Sequence, residues 1–132
     1  MVAVIPYRPR PHFRPLHDRE QRFGAVVAHR RAGKTVCFVN ELNRAAFTTE
    51  GKRYAYVAPH YVQAKDIAWD YLKEASAPGQ VTVNESELKV TYPTGSQVKL
   101  YGADNYDRMR GIELAGVVLD EYGDMDPRAW TQ

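Results

Sequence analysis

Two apolar stripes at helical spacing and one stretch of alternation organise the chain. Val36, Val39, Leu42 and Ala46 recur every three to four residues, the spacing that turns one face of a helix inward. A helix is therefore predicted over Lys34–Phe47, stopped by the polar turn Thr48–Lys52 with its Gly51. The second stripe, Ala64, Ile67, Ala68, Tyr71, Leu72 and Ala75, predicts a helix over Tyr61–Ala75 that Pro78-Gly79 breaks. A short apolar run precedes each helix and reads as a strand: Phe23–Ala28 before the first, Arg53–Ala58, ended by Pro59, before the second. From Val81 to Tyr101 the period changes to two. Leu88, Val90 and Tyr92 alternate with polar residues, as do Val98 and Leu100, on either side of Pro93-Thr94-Gly95. This predicts an antiparallel hairpin at the edge of the sheet. The polar, turn-rich stretch Gly102–Glu113 leads into a last buried strand, Leu114–Leu119. Strand, helix and strand in succession imply a right-handed crossover and a parallel sheet.

Composition adds bounds. At 132 residues, with 44% apolar and 26% charged residues, the chain has the make-up of a soluble globular domain or part of one. It has no apolar run long enough to span a bilayer, and its proline- and arginine-bearing start lacks the apolar core of a secretion signal. One cysteine, Cys37, excludes an internal disulfide and fits a reducing cytosol; its place in the first helix marks it as a small buried hydrophobe. No His/Cys grouping has zinc spacing. The net charge of +2 conceals an asymmetry: residues 1–31 carry seven arginines against Asp18 and Glu20. A polyanionic partner suits that end, and so does a solvated arm. Pro6, Pro9, Pro11 and Pro15 make residues 1–15 a basic, extended N-terminal arm, with one domain over 16–132.

The chemistry lies at two strand ends. Between the strand Phe23–Ala28 and the first helix stands His29-Arg30-Arg31-Ala32-Gly33-Lys34-Thr35. Strand, loop ending Gly-Lys-Thr and helix form the layout of a phosphate-binding P-loop, in which backbone N–H groups and a helix N-terminus wrap the anion. Gly33 permits close approach of the backbone, Lys34 reaches the β- and γ-phosphates, and the Thr35 hydroxyl holds Mg²⁺. The pattern's first glycine is here Ala28. At the far end, Leu114–Leu119 runs into Asp120-Glu121. An acid at the C-terminal end of a parallel strand sits where such sheets bind ligands. Asp120 is expected to hold Mg²⁺ through water, and Glu121 to orient and deprotonate the attacking water.

The segments AHRRAGKT, VAPHYVQAKDIAWDYL (57–72), YPTGSQVKLYGADNYDRMRG (92–111) and VVLDE (117–121) together resemble, in order, the ATPase domain of tailed-phage large terminase subunits. The resemblance runs over roughly 16–130 and implies a RecA-like P-loop α/β fold, mainly parallel, with flanking helices and an antiparallel hairpin. It further implies ATP and Mg²⁺ as cofactors and hydrolysis coupled to translocation of double-stranded viral DNA into a procapsid. The implied partners are the portal protein, the terminase small subunit and copies of the chain in a ring, with no membrane, in the host cytoplasm. Lys34 and Thr35 match the Walker A lysine and hydroxyl, and Asp120 and Glu121 the Walker B acid and catalytic glutamate. Arg30 matches an arginine the family places in its P-loop, and Arg110 one offered to a neighbouring subunit's ATP. Arg110 reads equally as a local partner of Asp104, Asp107 or Glu113, Arg31 as a solvated loop charge, and His29 as a packing residue. The family continues past Walker B with a coupling motif, further core strands and a nuclease domain. The chain is therefore expected to be a C-terminally incomplete ATPase domain without nuclease activity, short of a central strand. Two rival readings are a helicase-superfamily motor, against which Tyr122-Gly123 after the acids counts, and a truncated, non-catalytic module that binds DNA or portal.

Overall fold

The hexapeptide Arg53–Ala58 (β1) is apolar on both sides, and the sheet is built around it. In the computed structural model, which describes residues 33–120, Tyr54, Tyr56 and Ala58 join one core cluster and Ala55 and Val57 a second on the opposite face. A strand buried on both faces belongs inside a sheet. β1 accordingly pairs in parallel with β4 (Gln97–Gly102) on one side and β5 (Gly116–Leu119) on the other. Two short strands, β2 (Thr82–Asn84) and β3 (Lys89–Thr91), extend the sheet antiparallel beyond β4, giving the order β2-β3-β4-β1-β5. The expected strand at 23–28 and the arm at 1–15 lie outside the described residues.

The predicted hairpin forms, but not at the edge. β4 lies between β3 and β1, because its buried residues face both ways: Val98 and Leu100 enter the first cluster, Tyr101 the second. The edge position falls to β2, three residues too short to show a pattern and with no buried side chain among them.

Helix α1 (Lys34–Thr48) follows its stripe, burying Cys37, Val39, Leu42 and Ala46 against the sheet. Asn43 is buried beside them and is satisfied on both ends: it donates to the Ala75 carbonyl at 3.2 Å and accepts from the Tyr92 hydroxyl at 2.8 Å. Burial pushes that Tyr92 phenol above its ordinary value. The hairpin turn is fastened to the C-terminal end of α1. Thr94 Oγ1 donates to the Ala46 carbonyl at 2.6 Å, and Ser96 Oγ donates to the Thr49 carbonyl at 2.7 Å while accepting from the Lys52 N–H at 3.0 Å.

The second helix departs from its prediction. It runs as α2 (Tyr61–Ala64), a π turn (Lys65–Trp69) and α3 (Asp70–Ser76). Its buried row is Ala64, Ala68, Trp69, Leu72 and Ser76, whereas Tyr71, expected inward, is 47% exposed. A spacing of four drifts around an α-helix of 3.6 residues per turn. The wider π turn absorbs that drift and swings Trp69 in and Tyr71 out.

Trp69 Nε1 then donates to Glu85 Oε2 at 2.7 Å, and Lys73 Nζ donates to Glu85 Oε1 at 2.9 Å, tying this helix to the β2–β3 turn. The hydrogen bond from Trp69, then that from Lys73, lowers the Glu85 carboxyl below its ordinary value of 4.5. The unfolded chain thus binds more protons at this group, so the link stabilises the fold above about pH 4.5 and is lost as pH falls through the lower folded value. Thermal melts between pH 7 and pH 3 are expected to show a shallower acid decline for Glu85→Gln than for wild type.

The opposite face is covered by 3₁₀ turns at Ala103–Met109, kinked at Asn105, with Met109, Ile112 and Leu114 packed against Val57 and Tyr101. Here the loops after β1 and β4 are stitched together. The Asp104 N–H donates to the Pro59 carbonyl, and the Tyr61 N–H donates to Asp104 Oδ1, both at 3.1 Å. No helix among the described residues is long and apolar enough to cross a membrane.

Candidate functional site

The period of two in β5 decides where the terminal acid points. Val118 packs with the cluster on the α1 face and Leu119 with the cluster on the other, so Asp120 returns to the α1 side. Its N–H donates to the Val57 carbonyl at 2.9 Å, which continues the parallel pairing with β1 by one residue. The carboxylate is thereby held under the N-terminus of α1, at the C-terminal edge of the parallel strands.

At that N-terminus Gly33 adopts φ 81°, a left-handed conformation that suits a residue without Cβ. The turn places Lys34 at the head of the helix, with its Nζ 3.4 Å from Asp120 Oδ1. No side chain among the described residues caps α1, and its first turn carries no acid. The leading N–H groups and the helix dipole therefore present positive potential to whatever lies before Lys34. Thr35 follows at the second helical position, half-buried.

Asp120 is 5% exposed, and a carboxylate so buried requires compensation. One oxygen, Oδ2, accepts a hydrogen bond from the hydroxyl of Tyr56, itself buried on β1. The other, Oδ1, is paired with the Lys34 ammonium but has no hydrogen bond among the described residues. A buried anionic oxygen facing the mouth of a helix N-terminus fits a hydrated Mg²⁺, a hard cation that takes few protein oxygens and keeps several waters.

Of the residues expected from sequence, Lys34 and Asp120 meet at this edge, with Gly33 and Thr35 flanking Lys34 at the helix start. His29, Arg30, Arg31, Ala32 and Glu121 lie outside the described residues. Arg110 is exposed and pairs with Asp107 Oδ1 at 3.3 Å, one of its anticipated local partners. An exposed pair of this kind holds a side chain weakly. Tyr56 is the participant the sequence reading missed. A buried tyrosine hydroxyl demands a partner, but nothing local in RYAYVA names an acid 64 residues away.

No protein-family model and no curated protein matches the chain. Solved structures do. The large terminase ATPase domain of Thermus phage P74-26 superposes with a TM-score of 0.68 at 22% identity, over 78% of this chain and 49% of that one. The fold is that of the phage large-terminase ATPase domain. The large terminase of a thermophilic bacteriophage is similar over 77% of this chain and 27% of its own, with a TM-score of 0.65 and 21% identity. A complex of the latter with ADP gives a TM-score of 0.66 at 19% identity, over 79% of this chain and 27% of that one. The chain therefore spans about half of a terminase ATPase domain and about a quarter of a whole large terminase. The α/β order expected from the sequence, parallel strands with an antiparallel hairpin, is this terminase fold.

Proposed function

We propose that the chain is the nucleotide-binding part of a large-terminase motor, which binds ATP with Mg²⁺ and hydrolyses it to drive double-stranded viral DNA into a procapsid. The observation that carries this reading is the Lys34–Asp120 juxtaposition: a Gly-Lys-Thr helix start and a strand-end acid, far apart in sequence, meet at 3.4 Å. The likeness to terminases solved with ADP and with ATP-γ-S supports a nucleotide as the ligand.

In this reading Lys34 and the N–H groups at the head of α1 bind the β- and γ-phosphates. The loop residues His29, Arg30, Arg31 and Ala32 complete the cradle, with Arg30 at the γ-phosphate. Thr35 and Asp120 hold Mg²⁺, which when bound neutralises phosphate charge. Glu121, adjoining Asp120, orients the attacking water and accepts its proton. Catalysis is then positioning and electrostatic stabilisation more than covalent chemistry. DNA, the portal protein, the small subunit and neighbouring copies in a ring are the partners of the whole motor, at the portal in the host cytoplasm, with the basic arm 1–15 suited to DNA.

Titration of the chain with ATP and Mg²⁺ tests this reading. Saturable binding that depends on Lys34 supports it, and absence of binding overturns it for this chain. Arg110, exposed and paired with Asp107, is in this reading the arginine offered to a neighbouring subunit's nucleotide. In the assembled full-length motor, Arg110→Ala is expected to leave ATP binding intact and to lower turnover by about 10³-fold. Unchanged turnover would assign Arg110 to its local pair with Asp107.

A further inference from the structure

We infer that Tyr56 is a positioning residue for the metal-binding acid, fixing Asp120 so that Oδ1 can exchange the Lys34 ammonium for a hydrated Mg²⁺ when nucleotide arrives. The inference deepens, and rests on, the nucleotide reading above.

Two bonds immobilise Asp120. Its backbone N–H is tied to the Val57 carbonyl at 2.9 Å, and its Oδ2 accepts from the Tyr56 hydroxyl. Rotation of the carboxylate breaks the second bond inside a region where no water replaces it, since Tyr56 is 1% exposed and Asp120 5%. Oδ1 is thereby committed to the direction of Lys34. Without nucleotide, Lys34 supplies its countercharge at 3.4 Å. Phosphates at the head of α1 compete for the same ammonium. Once Lys34 turns to them, Oδ1 is a buried anionic oxygen with no hydrogen bond among the described residues, and a cation on the phosphates would restore its balance. A carboxylate free to rotate would follow the lysine instead.

Tyr54, two residues earlier on the same face of β1, provides the contrast. Its hydroxyl lies 2.9 Å from Thr49 Oγ1, at the opposite end of the strand from Asp120. The ring of either tyrosine fills core volume that phenylalanine would fill equally well. Only the hydroxyl of Tyr56 touches the acid.

The test is calorimetric titration of ADP into the 132-residue chain across a series of Mg²⁺ concentrations and in EDTA, for wild type, Tyr56→Phe, Asp120→Asn and the double variant. Tyr56→Phe is expected to raise the Mg²⁺ concentration needed for tight binding by about tenfold, the scale of one hydrogen bond to a charged group. Affinity in EDTA should change by less than about twofold, and the Tyr56 effect should vanish in the Asp120→Asn background. A purely structural role would move affinity with and without metal alike. Equal Mg²⁺ dependence in Tyr56→Phe and a Lys34-dependent wild type overturns the inference and leaves the nucleotide reading standing. A wild-type chain that binds no nucleotide overturns both. If circular dichroism shows Tyr56→Phe unfolded, Tyr56→Met, which also lacks the hydroxyl, decides between the same outcomes.

Discussion

Lys34→Ala is expected to weaken binding of ATP with Mg²⁺ by about 10²-fold or more, since it removes charge-assisted hydrogen bonds to two phosphates. The same substitution strips the buried Asp120 of its only cation among the described residues. Breaking a fully enclosed pair in this way costs about 3–5 kcal/mol. The Lys34 side chain is 24% exposed, so solvent screens the loss, and about 1–2 kcal/mol is the better expectation. The nucleotide-free variant should therefore melt a few degrees lower yet still cooperatively. The two effects separate in one experiment. Thermal shift with saturating ATP and Mg²⁺ should raise the melting temperature of wild type, as mass action on the native state requires, and raise that of Lys34→Ala far less. Equal shifts in both proteins would place the nucleotide, if it binds, somewhere other than the head of α1.

Gly102→Ala is expected to be the most damaging small substitution in the described fold. Gly102 ends β4 where the loops after β1 and β4 meet. A Cβ there falls 2.2 Å from the Tyr61 backbone nitrogen and 2.2 Å from Asp104 Oδ1. The carboxylate can rotate away, but the Tyr61 backbone cannot move without opening the turn into α2 and losing the Tyr61–Asp104 bond. Overpacking against backbone sits at the upper end of such costs, about 3 kcal/mol. That corresponds to a melting temperature lower by roughly 12 °C or more for a unit of this size. A variant melting like wild type would mean that these loops separate freely.

Much of this was legible because it was local. The stripe over Lys34–Phe47 locates α1 to within a residue, and the apolar run Arg53–Ala58 coincides with β1. The strand-end acid was visible because a buried β-strand that stops at Asp120 must deliver it to the sheet's edge. What escaped was set by distant partners. β2 exists because β3 offers it an edge, and three residues of Thr-Val-Asn say nothing of that by themselves. The π turn answers to the surface that Ala64, Ala68 and Leu72 share, which a strict 3.6 period misreads at Tyr71. Tyr56 joins Asp120 across 64 residues, a pairing that only the adjacency of β1 and β5 creates. The hairpin was recognised but set one place wrong, since β2 covers the free side of β3 and takes the edge itself.

The fastening of the hairpin turn to the far end of α1 bears on how the site could drive motion. The helix is 15 residues long, about 22 Å at the usual rise per residue. Thr94 and Ser96 clamp one end, while the other carries Lys34. A helix held in this way behaves as a lever with a fixed pivot. A displacement of about 1 Å at the phosphates becomes a tilt of about 3° over that length, delivered as torque to the Pro93–Ser96 turn. On the proposed nucleotide reading, the Pro93–Ser96 turn is where such a tilt would reach the surface, because it is bonded to the far end of the helix that carries Lys34.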